Sequence, residues 1–304
     1  MAASLLCEGI TKIYNCPKIE DVHVMCDLLQ CLHVRTEYED HVLTIDTRYA
    51  CCEPLPYELT CRLRASVLLL GPMLARWQRA ELGMPGGCAI GERPIDLHIS
   101  GLETLGAVIR ERRGRIFGLA PQLTGGEVTL SYPSVGATEN VMMAAALAEG
   151  ITVIRNGARE PEIVDLQNFL NACGAKISGA GSSDIRIVGV KKLYPTRYRI
   201  MGDRIEGGTY LMAAAITGGA VKVIGVESSW IGEELKVLER MGCGVTVDRQ
   251  DGEPVIVLRT PENLQSPGTV TASPWPGFST DLQSLLLALC TKAEGRTTIV
   301  DEVF

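Results

Sequence analysis

Three segments of the chain end a helix-period run on a glycine and then turn into β-rich sequence: Leu102-Glu-Thr-Leu-Gly106, Leu170-Asn-Ala-Cys-Gly174 and Leu238-Glu-Arg-Met-Gly242. The glycines are evenly spaced, with a period of about 70 residues, which predicts stacked α/β modules rather than one irregular domain. Glycine at such a point reads as a helix C-cap with positive φ, where a Cβ would be strained. An earlier segment, Leu29-Gln-Cys-Leu-His33, carries histidine at the glycine position and is the divergent copy.

A second signature lies between these caps. A small-residue helix runs into glycine and then a β-branched strand over 142–154, 210–224 and 282–300, and residues 2–14 read as the tail of the same element. Each copy is therefore expected to run helix–strand–helix–strand–strand. Four copies are recognisable, the first without its opening, and a fifth breaks off after a strand at 297–300. A chain that begins inside one copy and ends inside another is expected to be truncated at both ends. A domain boundary is expected near 199–202. It would leave three copies in residues 1–201, the first clipped, and a partial second domain in residues 202–304.

Length and composition agree with this layout. A chain of 304 residues suits two domains of roughly 150 residues each. With 46% hydrophobic but only 5% aromatic residues, the core must be packed from Leu, Ile, Val and Ala. The net charge of -7 argues against nucleic-acid binding, which needs clustered Lys and Arg. The eleven cysteines are odd in number and show neither a C-x-x-C nor a paired zinc spacing. Reduced thiols in a cytoplasmic protein are expected, with no metal and no cofactor. The longest apolar stretch, 67–75, is broken by Gly71 and Pro72, so no membrane span is expected.

The segment Pro85-Gly-Gly-Cys88-Ala-Ile-Gly-Glu-Arg93-Pro94 is the most unusual of the chain. Its glycines permit close approach to a ligand, and a guanidinium near a thiol favours the thiolate. Cys88 is thus a candidate acid or nucleophile. Arg93, Asp96 and His98 at a helix start suit a nucleotide's base and phosphates. Equally, Asp96 serves as a helix cap and His98 lies on a solvated face. Ser134, Val135 and Gly136 precede a helix expected over 139–147, either as an anion site or as ordinary N-capping. Arg64 reads from spacing alone as a surface ion-pair partner on an apolar helix. Asp203 and Arg204 sit at the inferred junction, where substrate clefts commonly lie. Asp281 opens the last helix, as a catalytic base or as an acid favoured by the helix dipole.

In order along the chain, six segments resemble successive motifs of the UDP-N-acetylglucosamine 1-carboxyvinyltransferase family. They are Leu63-Arg-Ala-Ser66, the Pro85–His98 stretch, Pro133-Ser-Val-Gly-Ala-Thr-Glu-Asn140, Ala158-Arg-Glu-Pro-Glu-Ile-Val-Asp165, Asp203-Arg-Ile-Glu206 and Ser279-Thr-Asp-Leu-Gln283. The Gly-Gly-Cys loop sets this family apart from its sister, 5-enolpyruvylshikimate 3-phosphate synthase. The resemblance implies two inside-out α/β barrel domains with the active site between them. It also implies transfer of enolpyruvyl from phosphoenolpyruvate to the 3-hydroxyl of UDP-N-acetylglucosamine, without a cofactor.

Carried over by position, Cys88 protonates phosphoenolpyruvate or forms an adduct with it, and Asp281 takes the sugar hydroxyl proton. Arg93 and Arg64 stabilise the phosphate-bearing substrate. Pro94, Ile95, Asp96, Leu97, His98, Ser134, Val135, Gly136 and Val303 contact the UDP-sugar, and Glu160, Glu162, Asp203 and Arg204 line the cleft. There are departures too. The family's amino-terminal Lys-Asn pair has no counterpart before Met1, and its carboxy-terminal arginines would lie beyond Phe304. Ser279 replaces the usual proline, which is expected to loosen the turn before Asp281. A sister-type shikimate transferase and a non-catalytic UDP-sugar-binding fragment are the alternative readings.

Overall fold

The computed structural model describes residues 1–86 and 94–303. The chain divides into two compact units, Met1–Ile200 and Met201–Phe304.

The first unit holds three copies of one module. Copy one runs from a 3-10 helix, Ala2–Leu6, through β1 (Ile10–Tyr14), α1 (Glu20–Cys31), β2 (Arg35–Glu39) and β3 (Val42–Asp46). A short α2 (Tyr57–Thr60) and a 3-10 turn, Arg64–Leu69, lead into copy two. That copy comprises α3 (Leu70–Trp77), β4 (Arg79–Gly83), α4 (Asp96–Thr104), β5 (Val108–Arg112), β6 (Arg115–Leu119) and β7 (Glu127–Thr129). Copy three comprises α5 (Val135–Ala145), β8 (Ile151–Arg155), α6 (Pro161–Ala172), β9 (Lys176–Ser178), β10 (Ile185–Val188) and β11 (Arg197–Arg199). In the second unit, α7 (Arg204–Thr217), β12 (Ala220–Ile224), α8 (Gly232–Arg240), β13 (Gly244–Gln250), β14 (Glu253–Arg259) and β15 (Thr269–Ala272) form another copy. It is followed by a 3-10 turn, Thr280–Leu282, then α9 (Gln283–Cys290) and β16 (Thr298–Asp301).

The sequence pattern omits one element. Beyond the expected helix–strand–helix–strand–strand, each copy sends a short extra segment in parallel onto another copy's first strand. Leu55 bridges Leu82 of β4, β7 pairs with β8, and β11 returns to β1. Copy three thus closes onto copy one, and the first unit is a ring. In the second unit β15 pairs with β16 in the same way. Within the first unit the sheets surround helices whose small side chains allow close approach. All five residues of Ala2–Leu6 and eight residues of α5 are buried. The helices lie inside and the sheets outside. In the second unit Leu211, Leu238, Ile256, Leu258, Leu282 and Leu286 form a separate core.

The cap glycines adopt the expected backbone. Gly106, Gly174 and Gly242 have φ of 96, 99 and 93°. Each donates its N–H two residues inside the helix end, to Glu103, Asn171 and Glu239, while the following residue bonds to Leu102, Leu170 and Leu238. That double bond is the Schellman ending, which satisfies carbonyls the helix leaves unpaired. His33 makes the same bonds with φ of 57°.

Three local expectations need correction. The helix after Ser134 begins at Val135 rather than at residue 139, because Ser134 Oγ accepts the Ala137 N–H and caps it early. Asp96 does not cap α4; Ile95 occupies that position and Asp96 is the first helical residue. His98 lies on no solvated face, being only 5% exposed. Among the described residues no helix is long and apolar enough to cross a membrane.

Candidate active site

Both described stems of the cysteine-bearing segment attach to the same stretch of chain. On one side the Gly86 N–H donates to Thr60 O at 3.2 Å. On the other, Arg64 Nη2 donates to Pro94 O at 3.0 Å. The platform is itself fixed, since buried Ser66 donates its hydroxyl to Thr60 O. Arg64, read from spacing as a surface ion-pair partner, thus also ties the Pro94 stem through a backbone carbonyl. Cys88 and Arg93 lie outside the described residues.

Behind Pro94, a buried network fixes α4 and α5. Asn140 is fully buried. Its Oδ1 accepts the Gly71 N–H at 2.7 Å, so its amide nitrogen is the donor: to Val67 O at 2.8 Å and toward His98 Nδ1 at 3.1 Å. His98 therefore accepts at Nδ1 and keeps its proton on Nε2. Burial, assisted by the Arg64 charge, lowers its pKa to about 4 and keeps the ring neutral. The ring lies against Gly136, where a Cβ would come within 3.0 Å of His98 Cε1. A side chain at 136 would thus press on this ring, and the contact sets the α5 N-terminus beside α4.

Further along the same helix, Glu139 has its pKa raised to about 7, first by burial and then by Glu162. Glu160, itself buried, is the N-cap residue of α6, and Glu162 lies in that helix's first turn. An open groove of about 390 Å3 runs beside α4, between Pro94, Ile95 and Met84 and the carboxylates of Asp96, Glu103 and Glu111. Among the described residues the groove's charged lining is these three carboxylates, and Arg64 lies beside the Pro94 stem.

In the second unit the turn bearing Asp281 is held by two carboxylates that sequence reasoning missed. Glu234 on α8, only 2% exposed, accepts the Ser279 N–H at 2.7 Å. Its pKa is raised by burial, against the opposing pull of that N–H. Asp301 accepts the Thr280 hydroxyl at 2.7 Å and the Val303 N–H at 2.8 Å, bringing Val303 to the same turn. At Ser279, expected to loosen the turn relative to proline, the structure shows two hydrogen bonds. Proline has no N–H to give Glu234, whereas Ser279 gives one and also accepts the Asp281 N–H on its hydroxyl. Asp281 itself is exposed. Asp203 caps α7 by accepting the Ile205 and Glu206 N–H groups, and its neighbour Arg204 is buried near Glu234.

Comparison with known proteins decides what this scaffold belongs to. The family model of EPSP synthase (3-phosphoshikimate 1-carboxyvinyltransferase) matches residues 1–304. A UDP-N-acetylglucosamine 1-carboxyvinyltransferase 2 of Caldanaerobacter subterraneus is 41% identical over the whole chain, which covers 72% of that relative. A UDP-N-acetylglucosamine 1-carboxyvinyltransferase 1 of Carboxydothermus hydrogenoformans is 44% identical, with 71% of its length covered. The chain belongs to the enolpyruvyl transferase family.

Solved structures agree on the fold. The enolpyruvyl transferase NikO from Streptomyces tendae superposes with a TM-score of 0.84 at 22% identity, over 99% of this chain and 71% of that one. EPSP synthase from Acinetobacter baumannii gives 0.72 at 21% identity, over 98% of this chain and 70% of that one. Within this enolpyruvyl transferase scaffold, Arg64, Pro94–His98 and Ser134–Gly136 form one described cluster in the first unit. Asp281 and Val303 form another in the second. Asn140, Glu234 and Asp301 are the positioning groups that join each cluster. Of these, only Asn140 lay within a motif visible in the sequence.

Proposed function

We propose that this chain transfers the enolpyruvyl group of phosphoenolpyruvate to the 3-hydroxyl of UDP-N-acetylglucosamine and releases phosphate. The observation that carries this reading is the 41–44% identity to transferases of that name across the entire chain. In the proposed reaction the sugar oxygen bonds to C2 of phosphoenolpyruvate as C3 takes up a proton. Loss of a C3 proton with breakage of the C2–O bond to phosphate then restores the enol ether.

Cys88 is assigned to phosphoenolpyruvate and Asp281 to the sugar hydroxyl, a proton transfer contributing about 10²–10⁴ in rate. Arg93 and Arg64 offset the phosphate charge. Pro94 to His98, Ser134 to Gly136 and Val303 receive the UDP-sugar, with Glu160, Glu162, Asp203 and Arg204 in supporting positions. His98 acts there as a neutral ring that fixes α4, since its Nδ1 is already engaged by Asn140.

The test offers both acceptors to one preparation and follows phosphate and product mass. Release that depends on UDP-N-acetylglucosamine, with a carboxyvinyl-bearing UDP-sugar formed, is expected. Turnover on shikimate 3-phosphate with none on the UDP-sugar would overturn the assignment in favour of the sister activity. Saturable UDP-sugar binding with no phosphate release would instead identify a binding protein.

A further inference from the structure

We propose that the first copy carries a surface site for a zinc-like divalent cation, formed by His33, Cys51 and Glu53. One ring nitrogen of His33, the Cys51 sulfur and a Glu53 carboxylate oxygen lie within 4.8 Å of one another. His33 and Glu53 are exposed and Cys51 is half-buried, so an ion reaches them from solvent. The ligands are distant in sequence, which is why no metal-binding spacing betrays them. The fold joins them through the Cys51 N–H, which donates to Leu32 O at 3.0 Å, next to His33.

The other three copies supply an internal control. In each, the carbonyl of the residue preceding the cap glycine accepts an N–H from the start of the extra segment. These pairs are Leu105 with Thr124, Cys173 with Tyr194 and Met241 with Gln265. The positions equivalent to His33, Cys51 and Glu53 are therefore Gly106, Thr124 and Gly126 in copy two. In copy three they are Gly174, Tyr194 and Thr196, and in the second unit Gly242, Gln265 and Pro267. None of those sets offers an imidazole, a thiol or a carboxylate. Copy one replaces all three positions with ligand types, and it places histidine at φ of 57°, where its sister copies use glycine. A side chain in the left-handed region is disfavoured over glycine there, so the cap alone gives no reason for histidine.

The donor set selects the cation. Imidazole, thiolate and carboxylate together suit zinc or cobalt, whereas magnesium and calcium prefer oxygen alone. Ligands at about 2.0–2.3 Å from a tetrahedral zinc stand roughly 3.3–3.8 Å apart, so small side-chain rotations close the set. Binding transfers the Cys51 thiol proton to solvent and leaves one position for water. Cys52 takes no part: its thiol points to Arg79 O at 3.4 Å.

The test titrates the full chain with cobalt(II) and then displaces it with zinc. One cobalt per chain is expected, with a thiolate-to-cobalt charge-transfer band and a rise in melting temperature on metal addition. His33→Gly, which restores the sister-copy residue and cannot harm the cap, should weaken binding on the order of a hundredfold and abolish the metal-dependent rise. Cys51→Ser should remove the band, and Cys52→Ser should leave it. A band absent from the parent, or surviving both His33→Gly and Cys51→Ser, would overturn the site, as would equal competition by magnesium.

Discussion

In the first unit the residues around Pro94 and Ser134 rest on neutral buried groups, Asn140 and His98, whereas in the second the Asp281 turn hangs on carboxylates, Glu234 and Asp301. The difference follows from what each must hold. Asn140 satisfies a backbone donor and a backbone acceptor from different segments at once, Gly71 and Val67, and a side-chain amide offers both on separate atoms, which a carboxylate does not. The Asp281 turn presents N–H and O–H donors, Ser279, Thr280 and Val303, and carboxylates accept from all of them.

The largest expected effect therefore falls on Asn140. Asn140→Leu removes the partner of the buried Gly71 N–H and one of the two donors to the Val67 carbonyl, which keeps the Leu70 N–H, and should cost about 2–3 kcal/mol, read as a lower urea midpoint. A cost under about 1 kcal/mol would break the comparison, because the network would then hold nothing.

Next comes pH, where the first unit contains two opposed groups. His98 has a folded pKa of about 4 against an ordinary 6.5, so the unfolded chain binds the extra proton and stability falls as pH drops from 6.5 to 4. Glu139, raised to about 7 from 4.5, works the other way: the folded state binds the extra proton, and stability rises as pH drops from 7 to 4.5. Each contributes on the order of 3 kcal/mol, and they nearly cancel. These two groups together leave the parent's urea midpoint nearly unchanged across this range, with the raised Glu234 adding a rise toward acid pH. Glu139→Gln should expose the loss at acid pH, and His98→Asn the gain. A steep profile in the parent, unchanged by either substitution, would contradict the assignment.

The smallest effect sharpens the second half of the comparison. Ser279→Pro removes the N–H that Glu234 accepts and should cost about 1–2 kcal/mol by thermal melting. A more stable variant would show that proline's stiffness outweighs that bond.

Much of the fold was legible because its punctuation is sterically enforced. Positive φ at Gly106, Gly174 and Gly242 leaves little choice of residue, and so the period could be read. The ring closure was not legible, since β7 and β11 are three-residue strands with no periodicity of their own. The buried place of His98 had a signal that was passed over: it shares a helical stripe with Ile95 and Leu102, both buried. The helix start at Val135 was missed because Ser134, Val135 and Gly136 read as a small-residue turn before the helix, whereas Gly136 lies in its first turn against the His98 ring. Glu234 and Asp301 left no local trace, because their partners lie 45 and 21 residues away.

The most direct test of the account is UDP-N-acetylglucosamine-dependent phosphate release from phosphoenolpyruvate by the parent, by Cys88→Ala and by Asp281→Asn. The account predicts release by the parent and a fall of about a hundredfold or more in each variant. No release by the parent, or release that neither substitution changes, would contradict it.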